Sequence, residues 1–245
     1  GMLRWPLVAA AIALLGVALW YESSRGIIVL TVAAVGMMLA ARARVPLGGA
    51  VIAGVVLLVA MPTLISTLAP GQFADDPQGQ LVAHQVSGLT DPFGAQSTLP
   101  GHLSLVTEGI YRGVTNPIGY GVGSITISGG KYDGVVGPAE ADPGRAPFAV
   151  GILGLIAYFA IVIVGLTRAY RVAVTRRDPV SLVALGILLV TFLQWLNGGN
   201  YAVVFWAWLA LGWVDAAAST PPALERRAEV RVRQPRIDLV GQGRG

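Results

Sequence analysis

The side chains able to do chemistry are concentrated in one polar segment, residues 70–146. It holds both histidines and ten of the Lys, Arg, Asp and Glu residues. Ionisable side chains within lipid are costly and usually mark a functional path. The apolar runs around the segment contain no such residue, so the candidate chemistry is restricted to the segment itself. These runs are 5–21, 26–41, 46–69, 147–167, 180–197 and 201–214.

Two arginines of this segment could bind a phosphate. Arg112 follows Glu108 by four residues, a spacing that equally fits a weak surface ion pair on a helix. Arg145 lies just before the fourth apolar run, after Glu140 and Asp142. A planar guanidinium can bind phosphate with two parallel hydrogen bonds, so both arginines are candidates for phosphate binding. Glu140, Asp142 and Arg145 could instead be simply solvated residues at a helix start, where carboxylates are favoured.

Proton transfer and backbone binding have further candidates. Glu140 or His102 could act as a general base. His84 and His102 lack the spacing of a known metal site, so no metal is predicted. The glycines Gly119, Gly121 and Gly123 do not follow a strand or open a helix, which argues against a nucleotide loop. They predict a turn whose backbone can approach a ligand closely.

The composition predicts that these residues are held by a membrane helix bundle. Apolar residues make up 54% of the chain and charged residues 12%, against about 25% charged residues in soluble domains. Because a helix needs roughly 17–25 residues to cross the hydrocarbon core, we predict an all-α protein with about six transmembrane spans. The runs 26–41 and 201–214 are short, and either could be tilted or re-entrant.

Arginine placement predicts the orientation. Thirteen Lys and Arg residues fall on one side of the predicted spans and four on the other, which places residues 70–146 outside the cytoplasm. The basic character then belongs to the cytoplasmic fringe, which faces membrane lipids rather than nucleic acid. The predicted organisation is three spans in 1–69, an outer segment in 70–146, three spans in 147–215 and a disordered basic tail in 216–245.

Within the outer segment, residues 70–96 are rich in turn formers and are predicted to be irregular. Residues 99–115 carry apolar side chains at helical spacing, with Pro100 in the first turn and Gly113 near the end. They predict an amphipathic helix on the outer surface.

Three stretches resemble the O-antigen ligase and polymerase family of bacterial membrane glycosyltransferases. They run from Gly101-His102-Leu103 through Tyr111, then Asn116-Pro117-Ile118-Gly119-Tyr120-Gly121-Val122-Gly123, then Gly151-Ile152-Leu153-Gly154-Leu155. The match covers about residues 99–170. It implies that the chain corresponds to the C-terminal part of such a protein in the bacterial cytoplasmic membrane.

The resemblance implies glycan transfer from an undecaprenyl-diphosphate donor to an acceptor hydroxyl or lipid, without metal or cofactor. His102 stands where the family often has an arginine, and Glu140 and Asp142 stand near a usual His-Asn pair. The site predicted in this way consists of Glu140 and His102 as catalytic residues, with Arg112, Arg145, Asp142, Gly119, Gly121 and Gly123 as substrate-binding residues.

Two other functions fit the same sequence. A transporter or flippase of lipid-linked sugars would share the spans, although the uncharged apolar runs argue against proton coupling. A non-catalytic membrane subunit would use the outer segment to bind a partner.

Overall fold

The computed structural model describes residue 14 and residues 25–68, 77–94, 97–126, 131, 137, 141–196 and 201–220. The regular structure among these residues is helical and includes no β-strand, which confirms the all-α prediction. The predicted span 5–21 apart from residue 14, Glu140 and most of the predicted tail lie outside them. The helices are α1 (Arg25–Arg42), α2 (Leu47–Leu68), α3 (Pro77–Thr90), α4 (Leu99–Thr115), α5 (Asp142–Arg176), α6 (Pro179–Val190) and α7 (Tyr201–Ser219), with a 3-10 helix at Val122–Ile125.

Several helix limits correct the sequence predictions. Residues 77–90, predicted to be irregular, form α3. The run 180–197 is helical only to Val190, after which 191–196 make turns. Helix α7 continues to Ser219, past the predicted start of the disordered tail at 216. The predicted amphipathic helix is confirmed as α4, with the same first and last residues.

Helix α5 is long and apolar enough to cross a membrane, whereas the other apolar helical stretches of the described chain are shorter. The helix is interrupted at Gly151, whose φ of 68° and ψ of −151° are not helical. It therefore has a short first part, 142–150, and a long second part, 152–176.

The core surrounds the second part of α5, which packs against α1, α6 and α7. The largest fully buried side chains include Tyr158, Leu188 and Trp195. Each polar atom among them binds a backbone carbonyl: the Tyr158 hydroxyl donates to Phe192 O at 3.0 Å, and Trp195 Nε1 donates to Leu188 O at 3.1 Å. The first bond holds the turns of residues 191–196 against α5, and the second holds them against α6.

Tyr170 and two arginines make the contacts at the end of the bundle where α5 ends. Tyr170 donates its hydroxyl to Val45 O at 2.7 Å, which brings the α1–α2 turn to the end of α5. Arg176 Nη2 donates to Ala217 O at 2.7 Å, and Arg168 forms an ion pair with Asp215 of α7. The end of α5, the α1–α2 turn and the end of α7 therefore meet at one arginine-rich end.

Candidate functional site

A seam of glycines joins α4 to the first part of α5. Gly109 lies against Gly144, and Gly113 lies against Pro147; a Cβ on either α4 glycine would overlap the opposing backbone carbonyl. Because the paired residue numbers rise together, the two helices run parallel at this seam. Only glycine permits such a close approach of two backbones, as in the small-residue seams of membrane helices.

The seam leads directly to the break at Gly151. In an unbroken helix each N–H donates to the carbonyl oxygen four residues earlier. The break leaves Ile152 N, Phe148 O and Ala149 O without such helical partners. The turn after α4 supplies replacements. Three hydrogen bonds do this: Ile152 N to Pro117 O at 3.2 Å, Tyr120 N to Phe148 O at 3.0 Å and Gly121 N to Ala149 O at 2.9 Å.

Glycine is required at both sides of this contact. Gly119 has a φ of 79°, and a Cβ on it would lie 2.5 Å from Ala149 O. Gly151 also has a positive φ, and a Cβ on it would overlap the Pro117 carbonyl oxygen. The Asn116 side chain stabilises the turn, because its Nδ2 donates to Gly119 O at 2.9 Å.

These bonds change the interpretation of the glycine turn. The N–H groups of Gly119 and Gly121 were expected to approach a sugar or phosphate. Instead, Gly119 N donates to Asn116 O at 2.8 Å and Gly121 N to Ala149 O. These two amides are therefore not donors for a ligand in this conformation. Gly123 lies in the exposed 3-10 helix, with open space beside it.

An aromatic pair covers the end of the first part of α5. Tyr120 stacks on Phe148, with the ring centroids 4.7 Å apart. Gly137 also lies against the Phe148 ring and donates its N–H to Ser124 O at 2.9 Å. Phe148 is fully buried, whereas Tyr120 is partly exposed at the edge of the site.

Arg145 is buried rather than solvated. Its side chain leaves the first part of α5 and donates from Nη2 to Ile125 O at 2.7 Å. It thereby ties the 3-10 helix to α5.

Asp142 is also buried, with 1% of its surface exposed. Its Oδ2 accepts a hydrogen bond from Leu196 N at 2.6 Å, and its own N–H donates to Leu193 O at 2.9 Å. The interpretation of Asp142 as a solvated helix-start residue is therefore wrong. It connects the start of α5 to the turns that follow α6.

Arg112 is the accessible cation of the site. It lies in the last turn of α4 and pairs with Glu108, with Nε and Oε1 2.5 Å apart. This hydrogen bond, and then the charge of Glu108, raise the pKa of Arg112, with a smaller contribution from Tyr120. The side chain keeps 42% of its surface exposed, so an anion can reach it.

His102 lies away from Arg112. It is exposed in the first turns of α4, ten residues earlier, which corresponds to about 15 Å along the helix axis. A general base must lie within roughly 3 Å of the proton that it accepts. The structure therefore does not bring His102 and Arg112 together, and Glu140 lies outside the described residues.

The structure thus brings together most of the predicted substrate-binding residues around the first part of α5. Gly121 bonds to it, Asp142 and Arg145 belong to it, and Gly119 lies against its last residues. Arg112 lies on α4 between the seam glycines Gly109 and Gly113. The seam was not predicted, although two glycines four residues apart on one helix were a usable signal. Across the part of the chain that can be described, no group of three or more His, Cys, Asp or Glu residues could hold a metal ion.

Comparison with known proteins adds no family assignment. No protein-family model, curated protein or solved structure matches the chain.

Proposed function

We propose that the chain is a bacterial membrane glycosyltransferase of the polysaccharide ligase and polymerase type, which uses an undecaprenyl-diphosphate donor. One observation carries the proposal. The three stretches that resemble the family, in α4, in the glycine turn and at Gly151, pack into a single unit. Their contacts require the glycines at 119 and 151. Residues that carry the resemblance therefore depend on one another in the fold, although they lie far apart in the chain.

The surface of α5 supports the membrane location. Only 33% of its most apolar stretch is buried within the protein, whereas the central helix of a soluble protein is mostly covered. Leu153, Ile156 and Ile163 are each at least 60% exposed. An uncovered apolar surface of this extent is suited to lipid, and α5 from Gly151 to Arg168 rises about 26 Å, close to the thickness of the hydrocarbon core.

The distribution of charge supports the orientation. The arginine-rich end of the bundle would face the cytoplasm, as the positive-inside rule requires. The glycine turn and Arg112 would then lie at the outer surface, where a lipid-linked glycan is presented. The six-span arrangement is part of this proposal.

The chemistry proposed for Arg112 is leaving-group stabilisation. An acceptor hydroxyl attacks the anomeric carbon, the bond from that carbon to the phosphate oxygen breaks, and undecaprenyl diphosphate leaves with the negative charge. The Arg112 guanidinium would hydrogen-bond to the phosphate oxygens on which this charge develops. Glu140 is our candidate for the base that takes the hydroxyl proton. We assign no catalytic role to His102, because of its distance from Arg112.

The Arg112–Glu108 pair gives a matched test. Arg112→Ala and Glu108→Gln both remove the ion pair, but only the first removes the cation. The complete gene carrying each change is expressed, and membranes are assayed with a lipid-linked oligosaccharide for release of undecaprenyl diphosphate. We expect Arg112→Ala to reduce release at least a hundredfold, the size of loss of one oxyanion-hole donor, and Glu108→Gln to retain release.

Arg112→Lys adds a graded control, because lysine keeps the charge but loses the two-pronged geometry. Its release of undecaprenyl diphosphate should lie between that of Arg112→Ala and that of the unaltered protein. Unaltered release by Arg112→Ala, at equal membrane levels, contradicts the proposal.

A non-catalytic membrane subunit is the second candidate function. It is favoured by the buried positions of Asp142 and Arg145, both of which bond to the protein's own backbone. Under this alternative the unaltered protein releases no undecaprenyl diphosphate from the lipid-linked substrate.

A further inference from the structure

A groove of about 220 Å³ runs between α5 and α7 at the arginine-rich end. Its walls are apolar along most of their length. Arg168 and Asp215 lie at one end of it, where they form an ion pair. The residues that line the apolar part are Ile161, Val164, Gly165, Trp208, Leu211 and Val214.

The ion pair at the end of the groove leaves Arg168 able to bind a second anion. Its side chain is 53% exposed, and that of Asp215 is 62% exposed. An exposed pair of this kind is weak. A guanidinium has five N–H donors, so Arg168 can hydrogen-bond to Asp215 and to a phosphate at the same time.

The surroundings of Arg168 are strongly cationic. In the described part of this end, six arginines stand near two aspartates. They are Arg42, Arg44, Arg168, Arg171, Arg176 and Arg177, with Asp178 and Asp215. This excess of positive charge complements an anionic headgroup.

We propose that this groove binds one anionic phospholipid, with an acyl chain along the apolar walls and the phosphate on Arg168. The site combines an apolar groove with a cation at its end. A phospholipid has the complementary arrangement, since its apolar chains end in a phosphate. The proposal rests on the membrane location proposed above and not on glycan transfer. It also places the bound lipid at the opposite end of α5 from Arg112.

Native mass spectrometry of the full chain, purified in detergent, tests the proposal with phosphatidylglycerol and phosphatidylcholine added in equal amounts. We expect one phosphatidylglycerol to be retained preferentially. Arg168→Ala should weaken its retention roughly tenfold, as loss of a charge-assisted hydrogen bond predicts. Val164→Trp should also weaken retention, because the ring would fill the groove.

Two neighbouring positions provide controls. Arg171→Ala removes another exposed arginine one turn away, and Ile163→Trp adds the same ring at an exposed position that does not line the groove. Both should retain the lipid. Asp215→Asn removes the ion pair but keeps the Arg168 cation, so it should bind the lipid at least as well as the unaltered protein. This variant shows whether loss of the ion pair alone affects lipid binding.

The outcomes separate this proposal from the proposed function. Equal retention of the two lipids, or equal losses in Arg168→Ala and Arg171→Ala, overturns the lipid site and leaves glycan transfer unaffected. Loss of binding in Asp215→Asn as well as in Arg168→Ala also overturns it, because the ion pair rather than the phosphate contact would then be responsible. Absence of the protein from the membrane fraction would refute both proposals.

Discussion

Gly119 and Gly151 occupy the two sides of one backbone contact: a Cβ on Gly119 would lie 2.5 Å from the nitrogen of Gly151. They are separated by 32 positions in the chain, yet neither can carry a side chain while the other stays in place. The contact replaces the helical hydrogen bonds lost at the break in α5. The break and the glycine turn therefore stabilise each other in the folded chain.

The first prediction follows from this contact. Gly119→Ala and Gly151→Ala should each lower the free energy of unfolding by more than about 3 kcal/mol, because overlap with backbone adds to the roughly 1–3 kcal/mol cost of the strained φ. Thermal unfolding of the purified protein in detergent measures the loss. Hydrogen exchange at the Ile152 amide should accelerate in both variants, since its bond to Pro117 O is broken.

Two other glycines of the turn separate overlap from backbone strain. Gly121 has a φ of 88° with open space around it, whereas Gly123 has open space and no positive φ. Gly121→Ala should therefore cost about 1–3 kcal/mol, and Gly123→Ala should be close to neutral. Equal losses of unfolding free energy in the alanine variants at positions 119, 121 and 123 would argue against the backbone contact.

The second prediction concerns the glycine seam. Gly109→Ala and Gly113→Ala should push α4 away from the first part of α5, with a loss of about 1–3 kcal/mol or more for overpacking. Gly101 on the same helix has open space beside it, so Gly101→Ala should stabilise α4 by up to about 1 kcal/mol. Thermal unfolding compares the three variants. A stabilising effect of Gly113→Ala would mean that the seam opens in solution.

The third prediction distinguishes structural from chemical use of Asp142. Asp142→Ala removes the acceptor for Leu196 N and should cost about 1–3 kcal/mol of unfolding free energy. Asp142→Asn keeps a side-chain oxygen at this position and should unfold closer to the unaltered protein. If Asp142→Asn folds normally but loses release of undecaprenyl diphosphate, then the carboxylate contributes to substrate binding as well as to the fold.

The fold was partly accessible from the sequence. Helix α4 was predicted with its observed limits because Pro100, the apolar spacing and the terminal Gly-Asn-Pro region are local signals. Helix α3 was missed because its sequence, Pro77–Thr90, is rich in polar and turn-forming residues, and such local preferences are weak predictors. The end of α6 at Val190 was missed because the apolar run continues, and bonds to Tyr158 and Asp142 favour turns there.

The candidate site was less accessible than the fold. The sequence indicated which segment to consider, since the ionisable residues are concentrated there. It gave no sign that Arg145 and Asp142 are buried, because their burial depends on contacts with residues 20 and 54 positions away. The break at Gly151 was equally hidden, as one glycine within an apolar run is usually tolerated in a helix.

The fourth prediction concerns Asp178, which caps the start of α6. Its side chain accepts hydrogen bonds from Ser181 N at 2.9 Å and Ser181 Oγ at 2.5 Å. Burial raises the pKa of Asp178, but the bonds from Ser181 outweigh it and hold the pKa below its ordinary value. Asp178→Ala should cost about 1 kcal/mol at neutral pH, whereas Asp178→Ser should retain most of the cap.

The lowered pKa also fixes the pH dependence of this difference. A carboxylate that is more acidic in the folded state stabilises the protein above its unfolded pKa, near 3.8, and loses the contribution as the pH falls through the folded value. The difference between the unaltered protein and Asp178→Ala should therefore be constant above about pH 5 and shrink at lower pH. Chemical denaturation at several pH values measures it. A difference that grows as the pH falls would show that the cap acts through a protonated Asp178, contrary to the bonds seen at Ser181.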